Sequence, residues 1–236
     1  MRILLLATAL LTRSLDAAEE ASVRIRPVWW QAPAAPIQLH VEDTGDKHRP
    51  IRVLQMCPLE SFGATMEKGA VLLQRIEPDP ADPKSKPRWE PYASAPLPQG
   101  SRDLLMLLLP SPGGKSAQAR LVPMDEDTLR WGGTRLVNLT AARLVGQVAD
   151  KPFSVAPGGS AVLPFVATQR SVVEIMLAAD TRAGREMVFS SKGIFSPTKR
   201  TLLFIVNGAE KGSYETRAIE EPNPDPKVQD DSEAGG

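Results

Sequence analysis

Residues 133–164, GTRLVNLTAARLVGQVADKPFSVAPGGSAVLP, decide the fold that the sequence predicts. Polar and apolar side chains alternate over residues 135–139 and again over 153–155, which is the period of a half-buried strand. The turn Pro157-Gly158-Gly159 follows, and a further short apolar run comes after it. Alternating runs separated by turn residues are typical of consecutive antiparallel strands. This stretch therefore predicts an all-β protein.

The same pattern extends along the chain in both directions. With 22 prolines and 17 glycines in 236 residues, the sequence is rich in turns, which argues against long helices. In the first half we predict strands at 22–26, 37–41, 51–56, 62–65, 70–76, 102–109 and 117–122. In the second half we predict strands at 134–139, 143–148, 152–155, 161–166, 171–178, 186–190, 200–206 and 214–219.

An internal repeat divides these strands into two groups. The segment DLLMLLLPSPGGKSAQARLV that begins at Asp103 aligns with TLLFIVNGAEKGSYETRAI from Thr201, at a spacing of about 97 residues. A period of about 100 residues is the size of one immunoglobulin-like sandwich. We therefore predict two tandem immunoglobulin-like antiparallel β-sandwich modules, 22–123 and 133–220, joined by a connector at 124–132. Internal duplication would explain the repeat; the alternative is a loose match between two unrelated hairpins.

The two ends of the chain differ from the rest in composition. Residues 1–21 combine a positive start, an apolar run and small residues at Ala17, Ala18 and Ala21, the pattern of a signal peptide. The alternative is a buried N-terminal element. We expect a periplasmic or extracellular protein without a membrane-spanning segment after signal removal, since the apolar run at 104–109 is too short to cross a bilayer. Residues 221–236 are acidic and proline-rich, which predicts a disordered tail.

A resemblance to known proteins rests on three blocks of the second half. RLVNLT at 135–140, FSVAPGGS at 153–160, and KRTLLFIV followed by YETRAI at 199–219 resemble a group of uncharacterised exported proteins of Verrucomicrobia-type bacteria. Those proteins similarly have a strand that ends in N-L-[ST], an L/V-x-P-G turn and a late R-T-L-x-F strand. The resemblance implies a secreted pair of β-sandwiches, and it implies no activity or catalytic residue.

Several chemistries are poorly supported by composition and motifs. The formal net charge is zero, so the chain lacks the basic excess of nucleic-acid-binding proteins. The single cysteine excludes an internal disulfide, and no G-x-S-x-G motif is present. We predict no cofactor and no catalytic residue, although a pair of carboxylates of the glycosidase kind stays open because spatial pairing is invisible in a sequence.

A copper site is another possibility that the sequence raises. His40, His48, Met56 and Cys57 are soft ligands within a short segment. Both histidines precede the cysteine, which is not the spacing of a blue-copper site. We therefore predict no metal site, a solvated turn at His48 and a small core residue at Cys57.

Three tryptophans are the candidate ligand-binding residues. Trp29, Trp30 and Trp89 lie near prolines, and exposed indoles offer flat apolar surfaces for a sugar or a protein. The alternative is that Trp29 and Trp30 fill a core or the space between modules. Our leading hypothesis is an exported, non-enzymatic binding or assembly protein of the cell envelope that adds a partner strand to an edge strand. The competing hypothesis is a carbohydrate-binding or carbohydrate-hydrolysing protein, so the expected partner is an envelope protein or a polysaccharide.

Overall fold

The computed structural model describes residues 22–43, 47–82, 84, 86–208, 210 and 212–224, and every regular element in these residues is a β-strand. They form 16 strands in four sheets of four, which confirms the predicted all-β class. No helix in this part of the chain is long and apolar enough to cross a membrane. The predicted signal peptide, 1–21, and residues 225–236 of the predicted tail lie outside the described residues.

Two groups of eight strands follow one another, and we call them the N-terminal and C-terminal modules. The N-terminal module contains β1 (Val23–Trp29), β2 (Leu39–Glu42), β3 (His48–Ile51), β4 (Phe62–Ala64), β5 (Ala70–Ile76), β6 (Arg88–Ala95), β7 (Asp103–Pro110) and β8 (Ala117–Pro123). The C-terminal module contains β9 (Gly133–Asn138), β10 (Arg143–Val148), β11 (Lys151–Val155), β12 (Ser160–Val166), β13 (Ser171–Thr181), β14 (Gly184–Phe195), β15 (Lys199–Asn207) and β16 (Tyr214–Pro222).

The two modules have the same strand order. The N-terminal sheets are β4-β1-β7-β8 and β3-β2-β5-β6, and the C-terminal sheets are β12-β9-β15-β16 and β11-β10-β13-β14. In each module the first strand pairs in parallel with the seventh, whereas the other pairings are antiparallel. The strands of the two modules therefore correspond one to one in chain order, so that β1 corresponds to β9, β6 to β14 and β8 to β16.

A β-bulge lies at the same place in both modules. In β6 the bulge leaves Tyr92 without a partner in β5, and Pro91 comes immediately before it. In β14 the bulge leaves Val188 without a partner in β13, and Met187 comes immediately before it. Tyr92 and Val188 are therefore structural counterparts, as are Pro91 and Met187.

Three apolar clusters hold the sheets together. One lies between the two N-terminal sheets and one between the two C-terminal sheets. The third joins sheet β4-β1-β7-β8 to sheet β12-β9-β15-β16, so these two sheets are apolar on both faces. It contains Val28, Trp30, Leu105, Leu107, Val122, Met124, Leu129, Val137, Leu202, Phe204 and Ile219. Strand β7 contributes to a cluster on each of its faces, which explains its continuous apolar run.

The structure corrects three strands of the N-terminal half. Strand β1 continues through Pro27, which is tolerated because β4 pairs with β1 only as far as Ile25. Strand β3 occupies residues His48–Ile51 rather than the predicted 51–56. Strand β6 was not predicted at all, because Pro87 and Pro91 suggest a loop, yet an edge strand accepts proline on its unpaired side.

Candidate functional site

Trp29 and Trp30 lie in two different cores. Trp29 is 4% exposed and packs edge-on against Tyr92 inside the N-terminal module. Trp30 is 7% exposed and packs edge-on against Phe204 in the cluster between the modules. The guanidinium of Arg217 lies 4.6 Å above the Trp30 ring and donates a hydrogen bond to the Trp30 carbonyl oxygen. Neither indole offers an exposed face to a ligand.

Trp89 is half-buried on the outer face of sheet β3-β2-β5-β6, where it meets both histidines of the chain. The His48 ring stacks on it at a centroid distance of 4.2 Å and an angle of 19°, and His40 contacts it edge-on at 4.7 Å. Burial, followed by the nearby His48, lowers the pKa of His40. Ligand binding at the three tryptophans stays a prediction, and of the three only Trp89 is not buried.

The candidate metal ligands do not converge. Within the described residues, no group of three or more His, Cys, Asp or Glu side chains is arranged to hold a metal ion. His48 is the first residue of β3 rather than part of a solvated turn, so that prediction is wrong. The prediction of a core position for Cys57 is also wrong: its side chain is exposed, because it lies in the irregular segment between β3 and β4.

The Asn138-Leu139-Thr140 motif serves the fold. Asn138 is fully buried, and its amide nitrogen lies 2.8–3.3 Å from the carbonyl oxygens of Ala142, Val155 and Ala156. Its side-chain oxygen accepts hydrogen bonds from the backbone and the hydroxyl of Thr140. One side chain therefore ties the end of β9 to the start of β10 and the end of β11, and it satisfies polar groups that would otherwise be buried alone.

Strand β14 is the longest edge strand of the C-terminal module. Strand β14 is 12 residues long, lacks proline, and pairs on one side only, with β13. Its counterpart β6 has 8 residues and is interrupted by Pro91. Proline, short length, charged side chains and β-bulges all help to prevent an edge strand from pairing with another chain. Strand β14 lacks the first two but carries Arg185, Lys192 and the bulge at Val188, so its edge is less protected than that of β6 rather than unprotected.

The outer face of β14 combines apolar and cationic side chains. Met187 is 65% exposed and Ile194 is 51% exposed, an unusual degree of exposure for large apolar groups. Arg185 and Lys192 point to the same face, and neither makes an ion pair or side-chain hydrogen bond within the described residues, although Asp180 and Glu174 lie opposite them in the ladder. The edge is thus apolar with two unpaired positive charges.

One long side of the C-terminal sandwich, between β14 and β16, is less covered than its N-terminal counterpart, and we call it the open seam. In the N-terminal module β6 packs along β8, and the Tyr92 hydroxyl donates to the Gly114 carbonyl oxygen at 3.2 Å. Strands β14 and β16 make no comparable approach among the described residues. Ser191, which points inward opposite Ile175, and Ala218 are exposed there.

Four charged side chains connect the modules beside the third cluster. Arg26 of β1 donates to Glu221 at 2.8 Å and to Asp103 at 2.9 Å. Arg200 of β15 donates to Glu221 at 2.9 Å and lies 4.5 Å above the ring of Trp131. Burial acts to raise the pKa of Glu221, but hydrogen bonds from Arg200 and Arg26 outweigh it and hold this pKa below its ordinary value. Paired charges of both modules thus meet in one relative arrangement, and loss of one partner would leave a buried charge uncompensated.

Comparisons with known proteins identify no family for this chain. No protein-family model matches the chain, and no curated protein is significantly similar to it.

Proposed function

We propose that the protein is an exported, non-enzymatic binding or assembly protein of the cell envelope, acting in the periplasm or outside the cell. Export is supported by the signal-peptide pattern of residues 1–21. The partner is an envelope protein, one extended segment of which adds to the edge of β14 as a fifth strand of sheet β11-β10-β13-β14. The observation that carries this proposal is the long edge of β14, which is free of proline whereas its counterpart β6 is not.

Pro91 indicates which backbone group of β14 is available. Strand β6 pairs with β5 on both sides of Pro91, although proline has no N–H. The nitrogen at this register is therefore not needed for the ladder to the neighbouring strand. Met187 occupies the same register in β14, so by the same geometry its N–H points away from β13, towards the position of an added strand.

The test is capture of partners from the native envelope fraction by the mature chain from Ser22, using two variants of one residue. Met187→Ala removes the thioether side chain and keeps the N–H, whereas Met187→Pro removes both. We expect Met187→Pro to lose the captured protein, Met187→Ala to retain most of it, and both variants to melt at nearly the wild-type temperature. Capture of the same protein by Met187→Pro at the wild-type level would contradict strand addition.

Export has its own test, which is independent of the partner. In cells that express the full chain, we expect the protein in the periplasmic or extracellular fraction, with an N-terminus that begins after residue 16. Full-length protein confined to the cytoplasm would contradict the assignment to the envelope.

We further propose that both modules are immunoglobulin-like, that they arose by internal duplication, and that the chain belongs with the exported Verrucomicrobia-type proteins that it resembles. The shared strand order, the parallel pairing of the first and seventh strands and the matched bulges support the duplication. An experimental structure should superpose β1–β8 on β9–β16 with Pro91 on Met187. A register in which these two residues do not coincide would argue against duplication.

Carbohydrate binding has less support. It requires exposed indole faces, and Trp29 and Trp30 are buried. His48 covers one face of Trp89. A saturable change in tryptophan fluorescence on addition of envelope polysaccharide, lost in Trp89→Ala, would restore this alternative.

A further inference from the structure

Resting on the proposed strand addition, we infer the chemistry of the partner: its segment alternates bulky apolar side chains, which enter the open seam, with acidic side chains, which meet Arg185 and Lys192. Successive side chains of an added strand point to opposite faces of the sheet. One set therefore faces the sandwich interior beside β14, and the other faces the solvent side of the sheet.

The interior side lacks two apolar groups that close the N-terminal module. Val188 stands where β6 has Tyr92, a buried ring that reaches the β7–β8 turn. Ala218 of β16 corresponds to Leu121 of β8. Ala218 comes immediately before Ile219, and Leu121 immediately before Val122, and both Ile219 and Val122 belong to the third cluster. Leu121 packs on the N-terminal core, whereas Ala218 is exposed.

Three side chains left partly uncovered along the open seam are apolar or aromatic, whereas Ser191 and Glu186 on the same inner face are polar. Phe189, Val188 and Tyr214 pack on the C-terminal core but are only partly buried. Their remaining exposed surface becomes buried when bulky side chains enter from an added strand, and burial of apolar surface is the main favourable term in such an association. The seam therefore selects apolar residues at alternate positions of the partner.

On the solvent side of the sheet, β14 favours acidic side chains in an added strand. Arg185 and Lys192 lie on the outer face of β14, with Asp180 and Glu174 opposite them on β13 but no ion pair to either within the described residues. The Met187 and Ile194 side chains lie between and beside the two cations. Opposite charges directly across a pair of strands attract, whereas like charges repel. A segment with carboxylates at its outward positions thus complements β14, and a segment with lysines opposes it.

The test uses mature protein from Ser22 and acetylated, amidated peptides. The reference peptide alternates valine or phenylalanine with aspartate; in two matched controls lysine replaces every aspartate, or alanine replaces every valine and phenylalanine. By titration calorimetry we expect the reference peptide to bind about tenfold or more tightly than either control. Ala218→Leu, which restores the N-terminal arrangement, should weaken binding about tenfold while the melting temperature stays level or rises.

The outcomes separate this inference from the proposed function. Equal binding of the aspartate and lysine peptides, or wild-type peptide binding by Ala218→Leu, would overturn the inference, whereas envelope-protein capture that depends on Met187 would still support strand addition. Peptide binding and capture that both ignore Met187→Pro would overturn strand addition itself. Self-association of the free protein that is lost in Ala218→Leu would assign the seam to a second copy and overturn the partner chemistry.

Discussion

The N-terminal and C-terminal modules share one strand order but treat the same side of the sandwich differently. In the N-terminal module Tyr92 and Leu121 cover the side between β6 and β8, and Pro91 interrupts the outer edge of β6. In the C-terminal module the counterparts are Val188, Ala218 and Met187, and the same side stays uncovered. Three side chains thus distinguish the covered β6–β8 side of the N-terminal module from the uncovered β14–β16 side of the C-terminal module.

The largest expected effect comes from opening the closed side. Tyr92→Ala removes a ring that is 2% exposed and should lower the free energy of unfolding by about 3 kcal/mol or more. Val188→Ala, at the matched but half-buried position, should cost about 1 kcal/mol. Urea unfolding followed by tryptophan fluorescence measures both, because Trp29 contacts Tyr92 of the N-terminal module and Trp30 contacts Phe204 of the C-terminal module. Equal losses in the two variants would remove the contrast between the modules.

A second contrast lies at the end of the first strand of each module, where Trp29 fills the N-terminal core and Asn138 ties three strands of the C-terminal module. Asn138→Asp replaces an amide donor with a carboxylate beside carbonyl oxygens, and we expect a loss of about 2–4 kcal/mol in unfolding free energy. Asn207→Asp, at the exposed end of β15, is the control and should change stability by less than about 0.5 kcal/mol. A mild effect at Asn138 would show that its hydrogen bonds are replaceable by water.

The contact between the modules should weaken in acid. Because the pKa of Glu221 is held below its ordinary value of 4.5, its contribution to stability is present above about pH 4.5 and is lost as the pH falls through the lowered value. We expect the unfolding free energy to fall over that range.

Glu221→Gln keeps the shape of the side chain and removes its titration, so it serves as the control. Its stability should be lower than wild type at pH 7 and should depend less on pH below 4.5. A wild-type acid profile in this variant would assign the pH dependence to other carboxylates.

The smallest expected effect is an increase in the free energy of unfolding. Ala218→Leu adds apolar contact in the open seam and should raise the unfolding free energy by about 1 kcal/mol. The reverse change in the closed module, Leu121→Ala, should lower it by about 2 kcal/mol. Thermal unfolding of the two variants measures this pair, and a stabilising Leu121→Ala would show that the N-terminal side is not closed by this residue.

Much of the fold follows from local patterns. The predicted strand at 143–148 coincides with β10, because alternation and flanking turn residues agree there. Strand β6 was missed because proline is a local signal, whereas its tolerance depends on the edge position in the sheet. Strand β14 was predicted only at 186–190, since the polar segment from Ser190 to Gly193 interrupts the apolar pattern.

The candidate site was less accessible to sequence reasoning. The free edge and the open seam depend on which strands are neighbours in space, and Ala218 and Ser191 are far apart in the chain. Similarly, a pair of tryptophans flanked by prolines is compatible with exposure until packing is known, and the structure buries Trp29 and Trp30 in separate clusters. Alignment of the two halves, position by position, could have found the replacement of Pro91 by Met187.

The most direct test of the account is amide hydrogen exchange in the mature protein, with and without the alternating aspartate peptide. The account predicts that the peptide slows exchange in β14, at Met187 in particular, and leaves the matched strand β6 unchanged. Slowed exchange in β6 to the same extent, or unchanged exchange in β14 when peptide is bound, would contradict the claim that the edge of β14, unlike that of β6, accepts a partner strand.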